Sequence, residues 1–301
     1  MHERGPKRTY RPDFTPPTLY GEHPPGVAGP HLAHGVIGAF DAPSPEWPRL
    51  AEELMREGAM TVTLGFGAEH FTRDAPVGLK PLPAFDGDDL DGTRCGGAAC
   101  VLIASAEPTD ALTHFGTPRW QRHGQRTPAG ALGFRDGTMN PRRPLDLDRH
   151  VWVTTRDRSW MLGGTYLVVR DIEVQPTWHE LSEPEQEQII GRDKRTGAPL
   201  GRRRLYDAPH LETLPPDSHI RLAAPRSNHG IAILRRGYAT EDGLLFLAFM
   251  RDPRRQFVPL QAKLARHDAL ARHTRHTASA VFAIPPGARP RGFVGETLFG
   301  V

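Results

Sequence analysis

Apolar residues along this chain fall into short runs separated by proline- and glycine-rich stretches, a pattern of many short strands and few long helices. His34–Ala42 (HGVIGAFDA) reads as a strand. Ser44 and Pro45 then offer an N-cap and a first helical position. Trp47, Leu50, Leu54 and Met55 recur at helical spacing up to Glu57, and Gly58 stops the helix. Met60–Phe66 (MTVTLGF) alternates and is β-branched, so it predicts a strand. Pro76–Asp91 reads as loop, and Ala98–Ala104 (AACVLIA) as another strand. The order β-α-β-β is most of a ferredoxin-like unit. Residues 105–130 are polar, carry Pro108, Pro118 and Pro128, and lack clear periodicity. The expectation is therefore a first half shortened by its last helix and strand.

The pattern restarts downstream. His150–Thr154 (HVWVT) and Gly164–Ile172 (GTYLVVRDI) read as strands, and Glu180–Ile190 as a helix capped by Ser182 with Glu185 three residues on. His219–Ala223 reads as a strand or strand edge, and Ile231–Leu234 and Leu244–Phe249 as strands. Val258–Thr274 shows a broad helical face, and Ala280–Ile284 closes the pattern as a strand. The fold class that results is α+β, a duplicated ferredoxin-like fold with mostly antiparallel sheets. Its expected parts are an irregular arm over residues 1–32, a first half over 33–130 and a second half over 131–301.

Composition narrows the function. Lys+Arg 38 against Asp+Glu 35 gives a formal charge of +3, too balanced for an electrostatic nucleic-acid binder. Proline, at 30 residues, is about twice its ordinary usage. Two cysteines, Cys95 and Cys100, make no disulfide framework, and the expectation is two unpaired thiols. No apolar run reaches the ~18 residues of a membrane span. The N-terminus MHERGPKRTYRPDF has no secretory signal, which predicts a cytoplasmic protein or one from which a leader has been cut. The sequence leaves oligomeric state open, a homo-oligomer included.

Three segments carry candidate chemistry. Gly133-Phe134-Arg135-Asp136-Gly137-Thr138 sets an acid between two glycines, which permit tight turns and the close approach of a planar ligand. An ordinary Asp-Gly turn reads the same way. Ser218-His219-Ile220-Arg221-Leu222 holds a histidine that could face a cavity, and Leu234-Arg235-Arg236-Gly237-Tyr238 places one arginine on each side of a strand. His267, His273 and His276 offer a weaker alternative, a metal site with no acid clearly completing the set.

Taken in order, these blocks resemble the dye-decolourising peroxidases, in the branch that contains iron-uptake-associated bacterial peroxidases. GFRDGT matches the family's GxxDG signature. SHIRLAAPR, ILRRGY, DGLLFLAF, RDPRRQFVPLQ and GFVGETLF come in the family's order, and LYGEHPPGV, HGVIGAFDA and GLKPLPAFDGDDL match its opening half. The resemblance covers about residues 19–300. It implies a haem b cofactor held in the second half, with His219 as the axial iron ligand. It also implies Asp136 as distal acid–base, Arg235 as distal arginine, and Leu244 and Phe246 lining the distal pocket. Gly133, Phe134, Arg135, Gly137, Thr138 and Arg221 would complete the cofactor's surroundings.

The activity so implied is oxidation of an organic reductant by hydrogen peroxide through an oxoferryl intermediate. The alternatives are a specialised haem oxidant of a biosynthetic pathway, and a haem-handling protein with little turnover. An aspartate base, with an ordinary pKa of about 3.9, predicts activity best at acid pH. One departure stands out. The acid that in the family bonds the proximal histidine falls, by this alignment, at Arg272 in Asp268–Thr277 (DALARHTRHT), with Asp252 as a replacement partner. A cation at that place would raise the iron potential and slow O–O cleavage.

Overall fold

The computed structural model describes residues 20–155 and 157–296. The first nineteen residues of the predicted arm and the end of the GFVGETLF block lie outside these. In the first half the chain forms β1 (His34–Phe40), α1 (Trp47–Glu57), β2 (Met60–Gly67), β3 (Ala99–Ser105) and β4 (Trp120–Gln125). The second half brings α2 (Pro144–His150), β5 (Thr165–Val174), α3 (Pro176–His179), α4 (Glu183–Ile190) and α5 (His219–Ala223). After these come β6 (Leu234–Arg235), β7 (Tyr238–Ala239), β8 (Gly243–Met250), α6 (Phe257–His267) and β9 (Thr274–Ile284).

The duplication is written in the strand order. The first half pairs as β2-β3-β1-β4, and the second as β9-β5-β8 with β6 and β7 on the far edge of β8. Each is the same ferredoxin-like order, with its first and third strands central. The halves then join edge to edge, β2 to β9 and β4 to β7, so the antiparallel ladder closes on itself. Alternation decides what each face does. On β8, Leu245, Leu247 and Phe249 are wholly buried with Ile37, Leu102, Leu167 and Phe282 of other strands, filling the inside of the closed sheet. Leu244 and Phe246 point the other way, toward the helices of the second half.

Several expectations change. The first half is not missing its last strand, because β4 pairs with β1 from Trp120 to Gln125. Its sequence WQRHGQ hides the strand: the inward Arg122 meets charge, not hydrocarbon, donating to Asp171 Oδ1 (3.2 Å). The helix before it is reduced to a 3-10 turn over Ala111–Phe115, whose Phe115 ring packs edge-on to Trp47. Helix α1 starts at Trp47 with Glu46 at the cap position, while Ser44 Oγ accepts from the Glu46 N–H (3.3 Å). His150–Thr154 is no strand; His150 ends α2, and in the turn that follows Val153 exchanges backbone hydrogen bonds with Gly163 and Gly164. Of Ile231–Leu234, only Leu234 joins a strand. The Ser182–Glu185 capping box forms as expected, and both cysteines are free thiols. Among the described residues, no helix is long and apolar enough to cross a membrane.

Candidate active site

Between the outer face of β8 and the helices lies a cavity of about 1090 Å³. That is just above the ~300–1,000 Å³ usual for small-molecule and cofactor sites. Helix α6 supplies one wall by its period: Phe257, Leu260, Gln261, Leu264 and Ala265 recur at three- and four-residue steps along the lining. The next position on that stripe is Asp268, where the helix ends and a 3-10 turn begins.

His219 opens α5, a single turn of helix where a strand was expected. Five residues are too few for periodicity to separate the two, and Leu, Arg and Ala favour helix. In this setting His219 Nδ1–H donates to Asp268 Oδ2 (2.6 Å). Asp268 is held in turn, its Oδ1 accepting from the Leu270 N–H (2.9 Å), with only 4% of its side chain accessible. The carboxylate fixes the imidazole tautomer and leaves Nε2 for the cavity. This corrects the proximal reading. Arg272 is exposed, and Asp252 is engaged by Arg254 and Arg255. The acid is present after all, four residues earlier than expected.

The sheet side of the cavity carries the opposite chemistry. Arg235 Nε donates to Asp136 Oδ1 (3.0 Å), and the Gly137 N–H reaches the same oxygen (2.6 Å). Gly133 and Gly137 both take positive φ, +83° and +70°, so the loop turns sharply on either side of the acid. Asp136 Oδ2 makes no hydrogen bond among the described residues. Although 43% of the Asp136 side chain is accessible, that face opens on the cavity and not on bulk water. Burial pushes the carboxyl up, but Arg235 and the Gly137 N–H pull it further down. It therefore stays ionised below the ordinary carboxylate range.

Not every predicted contact is on the wall. Phe134, Arg135, Gly137, Thr138, Leu244 and Phe246 line the cavity with His219, Asp136 and Arg235. Gly133 does not, lying against Lys194, and Arg221 turns away to donate to Leu214 O (2.6 Å). His273 and His276 part company, one bonded to Thr177 Oγ1 and the other to Arg170, and the described residues hold no cluster of metal-binding side chains.

Sequence reasoning missed Asn140, Arg192 and His31. Asn140 Nδ2 donates to Arg235 O (2.8 Å) and its Oδ1 accepts from Arg235 N (3.1 Å), so one side chain stands in for a strand partner just where β6 ends. Buried Arg192, pushed down to about 10 by burial and by Arg235, keeps its charge near Asp136. His31, lowered to about 4 by burial, Arg236 and Arg126, is neutral on the same wall. Only Asn140 left a signal, four residues past the acid in the same glycine-flanked loop.

The residues present fit a haem. The cavity is large enough, its floor is apolar, and the one imidazole aimed into it from the helical side is already oriented by a carboxylate. Comparison with known proteins agrees. A family model for the C-terminal region of Dyp-type peroxidases matches residues 127–289. The dye-decolorizing peroxidase of Thermobifida fusca is 34% identical over 357 residues, covering 91% of this chain and 83% of its own. A deferrochelatase of Escherichia coli K12 is 29% identical over 371 residues, covering 94% and 87%. The solved DyP-type peroxidase of Streptomyces coelicolor superposes with a TM-score of 0.88 at 32% identity, over 94% of this chain and 97% of its own.

Proposed function

From the premise that this chain belongs to the DyP-type peroxidase family, we propose that Asp136 and Arg235 activate peroxide across the cavity from His219, which holds haem b. The protein is a haem peroxidase, an oxidoreductase that takes peroxide and a reducing substrate. The observation that carries the residue roles is the pairing of two oriented groups on one cavity: an Asp268-bound imidazole from the helices and an Arg235-bound carboxylate from the sheet.

Haem, when bound, supplies the redox metal at which peroxide is reduced and through which the reductant is oxidised. The chain's own residues do the rest. His219 Nε2 is the atom that would hold the metal, and Asp268 keeps the Nδ1 proton in place and the imidazole electron-rich. Asp136 Oδ2, the oxygen left free by Arg235 and Gly137, takes the proton from incoming peroxide and returns it to the leaving oxygen. Arg235 holds Asp136 ionised and sets a fixed cation beside the charge that develops on that oxygen. Leu244 and Phe246 keep this face dry, which strengthens both charges. Haem b, held without thioether links, suits the site because neither Cys95 nor Cys100 lines the cavity.

The test is peroxide-dependent oxidation of a phenol by the haem-loaded protein at acid pH. Turnover lost in Asp136→Asn, with haem still bound, supports the assignment. Fast peroxide consumption with poor turnover of phenols and dyes would point to a specialised oxidant. Haem binding with no peroxide reaction would point to haem handling, a role that makes no use of an ionised acid paired with an arginine.

A further inference from the structure

Four residues lie side by side across the cavity's floor. Ala239 of β7 faces Leu244 of β8, Leu244 faces Ile172 of β5, and Ile172 faces His276 of β9. All four line the cavity. Three are apolar and the last, at one end of the row, is a histidine. Such a floor suits a flat ligand that is apolar over its centre and polar at an edge.

The histidine's proton is placed by its neighbour. Arg170 Nε donates to His276 Nδ1 (3.1 Å), so Nδ1 is an acceptor and the ring proton sits on Nε2. Arg170 is itself fixed, wholly buried, bonded to Asp88 and to Ser279 Oγ (3.1 Å), with its guanidinium over the Phe85 ring. The Nε2–H meets no acceptor among the described residues. Burial and Arg170 push the ring down to about 3, so it remains a neutral donor across the acid range in which Asp136 works.

We propose that His276 Nε2–H donates a hydrogen bond to a carboxylate on the edge of the bound haem, fixing which way the porphyrin lies in the cavity. This rests on the cavity being a haem site. A donor backed by a guanidinium gives its strongest bond to an anionic acceptor, and haem b carries two carboxylates along one edge. The sheet places His276 two strands from Leu244, about 10 Å at ordinary strand spacing. That puts it on the sheet side at the ligand's rim, away from the reacting centre beside Asp136 and Arg235.

The experiment titrates apoprotein with iron protoporphyrin IX and with its dimethyl ester, reading affinity from the Soret band without turnover. Wild type should bind the free acid more tightly than the ester. In His276→Ala that preference should fall roughly tenfold, the loss expected for a hydrogen bond to a charged group. His276→Gln, which retains an N–H donor, should recover part of it. Equal affinity of wild type for both porphyrins overturns the proposal whether or not the variants fold. So does an unchanged preference in folded His276→Ala, above all if Arg126→Ala, at the other end of the cavity, loses it. Failure of wild type to bind either porphyrin would instead overturn the haem reading.

Discussion

Replacing Asp268 by Asn changes one charge and little else. Asn and Asp cap helical turns about equally well, so the bond from the Leu270 N–H survives and the fold should hold. What changes is the acceptor for His219 Nδ1–H, now a neutral amide oxygen on a side chain almost fully buried. Hydrogen bonds to a charged partner contribute about 1.5–3 kcal/mol, and neutral ones about 0.5–1.5. The midpoints differ by about 1.2 kcal/mol, a factor just under ten. If that difference falls on the oxidised metal, which gains most from an electron-rich ligand, it corresponds to just under about 60 mV in a one-electron potential. Spectroelectrochemistry should therefore show the iron potential of Asp268→Asn raised by roughly that amount. Stopped-flow mixing with peroxide should show the first reaction slowed about tenfold. Asp268→Ala should add a loss of about 1 kcal/mol in stability, because the cap goes too. A folded Asp268→Asn with wild-type potential and peroxide rate would show that Asp268 does not tune the ligand.

Other residues separate the roles of the sheet side. Asp136→Asn should lower kcat/KM for peroxide about 10²–10⁴-fold with haem affinity retained, measured by stopped flow. Because the Asp136 pKa is depressed, its base form persists below the ordinary carboxylate range. The acid limb of wild-type activity should accordingly lie below pH ~4, and a limb near neutrality would contradict the assignment. Arg235→Leu removes the largest downward pull on Asp136 and should move that limb to higher pH while cutting the rate about 10²–10³-fold. Asn140→Ala should lower kcat more than it raises KM for peroxide, since it frees the Arg235 backbone without touching substrate, and Asn140→Asp, which keeps only the acceptor, should recover part of the loss.

The parts of the fold legible in the sequence were those where side chains alternate against hydrocarbon. β8 shows this best, with Leu245, Leu247 and Phe249 inside and Leu244 and Phe246 on the cavity. The elements that escaped obey other forces. β4 is polar because its inward Arg122 meets carboxylates across the sheet, so no hydrophobic period marks it. Helix α5 is one turn long, below the length at which helix and strand patterns differ. Asp268 is hidden by a helical pattern of apolar positions that runs on to Thr274, whereas the helix ends at His267 and the acid caps the 3-10 turn over Ala269–His273. Asn140 acts by imitating backbone, which leaves no periodic trace. Asp136, Arg235 and His219 were legible through their motifs, and the structure sets them on one cavity.

Coordination through His219 is tested most directly by the absorption spectrum of the haem-loaded protein beside that of His219→Ala. The wild type should give a ferric spectrum with histidine as axial ligand. The variant should lose that signature and regain it when imidazole is added to fill the space. An identical spectrum in the two proteins, or a wild type that takes up no haem, would contradict the account.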